Sequence, residues 1–455
     1  MSINSINPTN GQLISSFEPL SDTEIHEKLR RAAFAFPRFR KLSFADRAKM
    51  MNKASELLEA DQEEIARLAT MEMGKTLRSA RDEVAKCAWA CRYYAEHGER
   101  LLQPESVATE ARRSYVCYEP MGVILAVMPW NFPFWQVFRF IAPNLMAGNV
   151  GLLKHASNVP QCALKVEEIL LKAGFPEGVF QTLLIAAPKA ESLLADDRIA
   201  AATLTGSENA GVHFGMAAAK GIKKVVLELG GSDPFIVMPS ADLEQAVTNG
   251  VKSRTLNNGQ SCISAKRFIL HEEIAVEFIE RFVDQMKSLV SGDPMDAKTE
   301  LGPLATEDAR RSLHADVLTT LSCGATVLAG GKPGVGMGNF YEPTVLVDIP
   351  INSPAYREEF FGPVASMFRV ADAEEAIRLA NDSRFGLGAS VWTNNPNEID
   401  CFAGGLEAGM VFVNKMVVSD PRLPFGGVKR SGHGRELGVQ GIREFTNVKS
   451  VWVNG

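Results

Sequence analysis

From Val150 onward the chain keeps one rhythm, and that rhythm restricts its fold more than any other feature. "VGLLK" reads as a short apolar strand, "QCALKVEEILLKAG" as a helix, "AATLTG" as a strand, "NAGVHFGMAAAKG" as a helix and "KKVVLELGG" as a strand. Strands separated by helices are predicted to lie parallel, with the helices packed on the sheet faces. The rhythm resumes after residue 262 with "RFIL", the helix "EEIAVEFIERFVDQMKSLV", "ATVLAG", "TVLVDI", "AEEAIRLAND" and "GMVFVN". The expected fold is α/β, with two doubly wound Rossmann-like domains. "RRSYVCYEP" and the C-terminal "NVKSVWVNG" add a small β element, the latter as an edge or swapped strand.

The first hundred residues read as helices. Ser21 opens "SDTEIHEKLRRAAFAF" as a capping residue, "FADRAKMMNKASELLEADQEEIARLATMEMG" closes at Gly74, and "DEVAKCAWACRYYAEHG" is expected to close at Gly98. A formal net charge of −6 over 455 residues, with no basic block, argues against nucleic-acid binding. The most apolar stretch, residues 123–153, is interrupted by Asn131, Gln136, Arg139, Asn144 and Asn149 and reads as protein interior, not a membrane span. The N-terminus has no basic region followed by an apolar core, so no signal peptide is expected. Seven cysteines without metal spacing or a disulfide pattern suit a reducing cytoplasm and predict no metal site.

One cysteine is set apart. Cys262 follows the polar hexapeptide context "NNGQSC" and precedes Lys266 and Arg267. Nearby cations and partial exposure favour the thiolate, so a lowered thiol pKa is expected. The usual dinucleotide fingerprint is missing. "GVGMG" at 334–338 is preceded by no strand and reads as a surface loop, whereas Thr205-Gly206-Ser207 joins a strand to a helix and offers N–H groups to a pyrophosphate.

Seven stretches, in order, carry a resemblance: "PWNFP" at 129–133, "LLKHAS" at 152–157, "TGSENAG" at 205–211, "LELGG" at 227–231, "NNGQSC" at 257–262, "EEFFGP" at 358–363 and "PFGGVKRSGHGRE" at 424–436. With their spacing, they resemble the aldehyde dehydrogenase superfamily over essentially the whole chain. The resemblance implies residues 1–101 and 121–229 as a cofactor-binding domain, 230–420 as a catalytic domain, and 102–120 and 438–455 as oligomerisation strands of a homo-oligomer.

It also implies roles. Cys262 matches the nucleophile, which adds to an aldehyde carbonyl to give a thiohemiacetal. Asn131 matches the oxyanion-hole amide; on local grounds it serves equally as the N-cap of a helix through "FPFWQVF". Glu228 matches the base that activates water against the thioester, and burial in an apolar strand should raise its pKa. Trp130, Asn131, Lys154, Ser157, Gly206, Ser207, Glu208, Leu229, Glu359 and Phe361 fall at positions resembling the cofactor cleft. Ser157 stands where many NAD-preferring relatives carry Glu. An acid there repels a 2′-phosphate, so serine implies NADP+ as the preferred cofactor, with NAD+ possible.

For the substrate, Phe132, Trp135 and Arg139 share one helical face, expected to border the tunnel. Arg139 suits a terminal carboxylate, or else pairs with an acid from another element. Its position resembles an arginine of succinic semialdehyde dehydrogenases, and Ser261 and Ser419 could add hydrogen bonds. Leu256 replaces a second tunnel arginine of some of these relatives, and Ser264 a second cysteine. The expected reaction is oxidation of succinic semialdehyde to succinate. The alternatives are a broad aldehyde dehydrogenase for aliphatic or aromatic aldehydes, and a non-catalytic structural or binding relative. A cysteine hydrolase lacks a recognisable histidine partner.

Overall fold

The computed structural model describes residues 2–454. Two sheets dominate. The first has six strands in the order Gly432–His433, Lys224–Glu228, Ile199–Thr205, Val123–Met128, Val150–His155, Phe180–Thr182, parallel except for the short Gly432–His433. The chain enters at Val123–Met128, steps outward to one side, then crosses back to Ile199–Thr205. Strand order reverses between these two strands, and the crevice beyond their carboxyl ends is where α/β sheets place ligands. Asn131 follows one of them and Gly206-Ser207 the other.

The second sheet has seven strands in the order Thr326–Ala329, Thr344–Val347, Val364–Val370, Arg267–His271, Pro234–Val237, Gly388–Trp392, Met410–Val413. Only Thr326–Ala329 runs antiparallel to its neighbour. Both faces are covered, so its central strands are apolar throughout: Phe235, Val237, Phe268 and Leu270 pack into one face cluster, Ile236, Ile269 and Val391 into the other.

Helices surround the first sheet. The helix Asp22–Phe39 begins with a reciprocal Ser21–Glu24 capping box. Asp61 divides the next helical stretch into Phe44–Ala60 and Gln62–Met73, and Gly74 ends it at φ 83°. The following helix exceeds its expected bounds. It runs from Leu77 to Leu101 and passes through Gly98, because Met146 and Ile442 lie where a side chain would stand and tertiary packing replaces the missing methyl.

The C-terminal strand Thr446–Val453 pairs antiparallel along the full length of Arg113–Pro120 within the same chain, and Glu105–Ser106 completes a three-stranded sheet. Residues 438–444 form a helix, not a strand. Thr446–Val453 is left at the sheet edge with Val448 and Trp452 exposed.

Candidate active site

The loop before Cys262 has an unusual backbone, which explains its composition. Asn257 and Asn258 adopt left-handed conformations (φ 56° and 60°), and Gly259 follows at φ 76°. Asparagine and glycine are the residues that enter this region at least cost. Both asparagine side chains then anchor the loop. Asn258 donates to the carbonyls of Gly74 (2.8 Å) and Pro303 (2.9 Å) and accepts from the Gly302 N–H. Asn257 donates to the carbonyl of Asn131 at 2.6 Å, and Asn131 Nδ2 donates to the carbonyl of Gln260 at 3.1 Å. Gly259 allows close approach to the "EEFFGP" segment, since a Cβ there would stand 2.4 Å from Gly362.

These contacts bring the turn after Val123–Met128 against the loop that carries Cys262. Asn131 does not cap the helix that follows. That helix spans Trp135–Ala147, and its first N–H groups, of Phe134 and Trp135, donate to Glu83. The amide of Asn131 has one N–H committed to Gln260 and the other left for a ligand.

Glu228 ends the strand Lys224–Glu228 and is 2 % exposed. Neither carboxylate oxygen has a hydrogen-bond partner among the described residues. Burial first, then the neighbouring Glu436, pushes its pKa well above the carboxylate range, against the pull of Arg139 and Arg435. The carboxylate lies where Gly426 has no side chain: a Cβ there would stand 2.6 Å from it.

Cys262 departs from one expectation. The residue keeps a partly open face, but protein surrounds the sulfur closely enough that desolvation pushes the thiol up to about 12. Arg139 and Lys266 act in the opposite direction and do not overcome it. Lys266 is spent on the loop: its Nζ donates to the carbonyls of Ser261 (2.8 Å) and Cys262 (2.7 Å) and lies 3.0 Å from Glu359.

Arg139 adopts the second of the two arrangements its sequence context allowed, a pair with an acid from another element. It is 1 % exposed, and its guanidinium is in ion-pair contact with the buried Glu436, with Thr205 Oγ1 at 3.3 Å and the Phe425 ring 4.3 Å away. Its charge is answered inside the protein, by an acid from another element. Glu436 lies in "GHGRE", so the acid was visible, but its pairing across the chain was not.

The remaining residues spread around the crevice. Trp130 meets Phe361 edge to face at 5.7 Å. Leu229 packs on Gly211 of the helix Glu208–Lys220, where a Cβ would come within 2.6 Å. Ser207 caps that helix, its Oγ accepting the Ala210 N–H. The Glu208 carboxylate turns instead to Arg384 (2.9 Å) and Arg430, joining the two sheets' loops. Lys154 is 6 % exposed and makes no ion pair among the described residues; burial lowers its pKa. Ser157 is exposed in the turn after Val150–His155. The Phe132 ring lies 4.1 Å from the Lys75 ammonium. Trp135 is 3 % exposed, and Ser261 is fully buried with its hydroxyl unpartnered among the described residues. Ser419 accepts a hydrogen bond from Lys86. Glu83, Lys75 and Lys86 escaped sequence reasoning, because charges at helical spacing read as a solvated face. No metal-binding cluster of His, Cys, Asp and Glu occurs among the described residues.

Asn131 is hydrogen-bonded into the loop that carries Cys262, Gly231, three residues after Glu228, lies against the Cys262 carbonyl, and the charge of Arg139 reaches both the thiol and the unpartnered carboxylate of Glu228. The chain belongs to the aldehyde dehydrogenase family, which it matches over residues 1–451. It is 56 % identical over 453 residues to a probable succinate-semialdehyde dehydrogenase (NADP(+)) of Synechocystis sp., covering 100 % of both chains. It is 54 % identical over 457 residues to succinate-semialdehyde dehydrogenase (NADP(+)) of Mycobacterium avium, covering 100 % of this chain and 97 % of that one. The crystal structure of succinic semialdehyde dehydrogenase from Streptococcus pyogenes, in complex with NADP+, superposes with a TM-score of 0.97 at 35 % identity over 100 % of both chains.

Proposed function

We propose that the protein oxidises succinic semialdehyde to succinate with NADP+. The observation that supports the chemistry is the contact of Asn131 with the loop carrying Cys262, together with Arg139, whose charge reaches both the Cys262 thiol and Glu228; the full-length relatives named above support the substrate and the cofactor.

The cofactor fits the residues present. Lys154 supplies a buried ammonium with no acid partner among the described residues, Ser157 a hydroxyl with no carboxylate, and Gly206-Ser207 the N-terminus of a thirteen-residue helix. Trp130, Leu229, Glu359 and Phe361 line the approach to Cys262. When bound, the nicotinamide accepts a hydride.

The chain's own residues do the rest. Cys262 gives its proton to solvent water and adds as the thiolate to the aldehyde carbon; the C=O π pair moves to the oxygen, which as an alkoxide takes hydrogen bonds from Asn131 Nδ2 and the Cys262 backbone N–H. Loss of hydride leaves a thioester. Glu228, its pKa raised by burial and by Glu436, takes a proton from water as that water attacks the acyl carbon; the C–S bond breaks, the acid leaves, and the Cys262 thiolate takes up the proton that Glu228 had accepted.

On this reading residues 1–101 and 121–229 bind the cofactor and also supply Asn131 and Glu228, residues 230–420 carry Cys262, and Thr446–Val453 at an open edge is available for pairing between subunits of a homo-oligomer. Among the described residues no helix is long and apolar enough to cross a membrane, and the cysteines are free, which suits the cytoplasm.

A steady-state matrix of NADP+ and NAD+ against succinic semialdehyde, butanal and benzaldehyde tests the reading. The highest kcat/KM is expected for succinic semialdehyde with NADP+, and none with Cys262→Ala. Equal rates for all three aldehydes would favour a broad-specificity enzyme.

A further inference from the structure

Resting on that substrate, we propose that Lys86, on the helix Leu77–Leu101, is a specificity-determining residue whose ammonium binds the substrate's terminal carboxylate together with Ser419. A dicarboxylic half-aldehyde brings a full negative charge into the site, and a desolvated carboxylate needs a cation whose own charge is not already answered. Arg139 meets that condition only in part, because Glu436 contacts its Nε and Thr205 accepts from its Nη2.

Lys86 meets it in full. Its Nζ donates to Ser419 Oγ at 2.6 Å and stands 4.5 Å from the centroid of the Trp135 ring, on the helix that leads away from Asn131. Among the described residues it forms no ion pair. The acids whose charge reaches it are engaged elsewhere: Asp420 with Arg422 at 2.6 Å, and Glu83 with Lys75. The side chain is half-buried, so a ligand can reach it. An ammonium has three N–H donors, and one hydroxyl uses one of them.

The surroundings disfavour the charge in the absence of an anion. Burial, and then the nearby Arg139, push the Lys86 ammonium down to about 8. An arriving carboxylate reverses both effects at once. The same arrangement leaves a neutral aldehyde with nothing to gain, since a methyl terminus offers Lys86 no acceptor. Arg139 then acts as a positioning residue. Its charge repels Lys86 and adds positive potential near Cys262.

The test compares KM and kcat for succinic semialdehyde and butanal in wild type, Lys86→Met and Lys86→Arg. Methionine keeps the apolar stem against Trp135 and removes the charge. Charge-assisted hydrogen bonds predict a rise in KM for succinic semialdehyde of about ten-fold or more in Lys86→Met, a far smaller change for butanal, and recovery of most of the loss in Lys86→Arg. A purely structural lysine would change both substrates alike, and that result overturns the proposal. So does a Lys86→Met enzyme that keeps the full wild-type discrimination, in which case the substrate reading stands. A wild type that binds the two aldehydes equally overturns the substrate reading and the lysine's role with it.

Discussion

Glu83 binds the Lys75 ammonium on one carboxylate oxygen and, on the other, accepts the N–H groups of Phe134 and Trp135 at 2.8 Å each. Both side chains of the ion pair are buried. Through it the helix Leu77–Leu101 fixes the first turn of the helix that carries Trp135 and Arg139, three residues beyond Asn131. Truncating one partner of a buried pair leaves the other charge unanswered and typically costs about 3–5 kcal/mol. Glu83→Ala is therefore expected to lower the unfolding free energy by roughly that amount in urea titration. Glu83→Gln, which retains an oxygen for the two N–H groups, should lose less.

The Cys262 thiol, raised to about 12, makes the resting enzyme a protonated thiol at neutral pH. Its reactive fraction grows with each unit of alkalinity. The rate of the acylation step, followed by single-turnover absorbance of the reduced nicotinamide, should climb from pH 6 to 9 without reaching a plateau. A flat profile over that interval would show that cofactor or substrate binding lowers the thiol pKa.

Glu436 raises the pKa of Glu228 by its nearby charge. Glu436→Gln removes that charge, so Glu228 should ionise at lower pH. The acid limb of the hydrolytic step is expected to move toward lower pH in this variant, measured as the pH dependence of thioester turnover. The same change frees Arg139, and buried unpaired guanidinium should lower the melting temperature.

On the proposed role of Ser157 beside the cofactor's 2′-phosphate, Ser157→Glu sets a repelling carboxylate against that group. The ratio of kcat/KM for NADP+ to that for NAD+ should fall by at least an order of magnitude, through KM more than kcat.

Asp233 carries a prediction about stability. Burial raises its pKa from 3.8 to about 7, and only one of its oxygens is satisfied, by the Gly388 N–H at 3.1 Å. A carboxyl raised in the folded state contributes stability that is complete below its unfolded pKa and is lost as pH rises through the folded value. Asp233→Asn keeps the acceptor and has no charge to lose. Its melting temperature relative to wild type should therefore increase from pH 5 to pH 8.

Much of this was legible in the sequence. Alternating strands and helices gave both wound sheets, because parallel strands buried on both faces are continuously apolar. The motifs singled out Cys262, Asn131 and Glu228, and Asn131 is hydrogen-bonded into the loop before Cys262. What escaped was pairing at long range. Arg139 was left between a substrate carboxylate and an unnamed acid, because Glu436 stands far along the chain and nothing local shows that the two meet. Lys86 and Glu83 drew no attention within their helix, because the partners that give them a role, Trp135 and Ser419, come from distant segments. The thiol pKa was misjudged in sign for a related reason: Lys266 is adjacent in sequence, but burial, which no local spacing shows, outweighs its charge.

The left-handed turn at Asn257 and Asn258 also governs how the protein ages. Asn-Gly sequences deamidate when the glycine nitrogen closes a ring on the asparagine side chain. At Asn258 the side-chain oxygen and nitrogen are both tied to backbone groups of two other segments, which denies that ring its geometry. Chemical decay at this position must wait for the segment to come loose, so stored enzyme should lose catalytic loops only as fast as it unfolds.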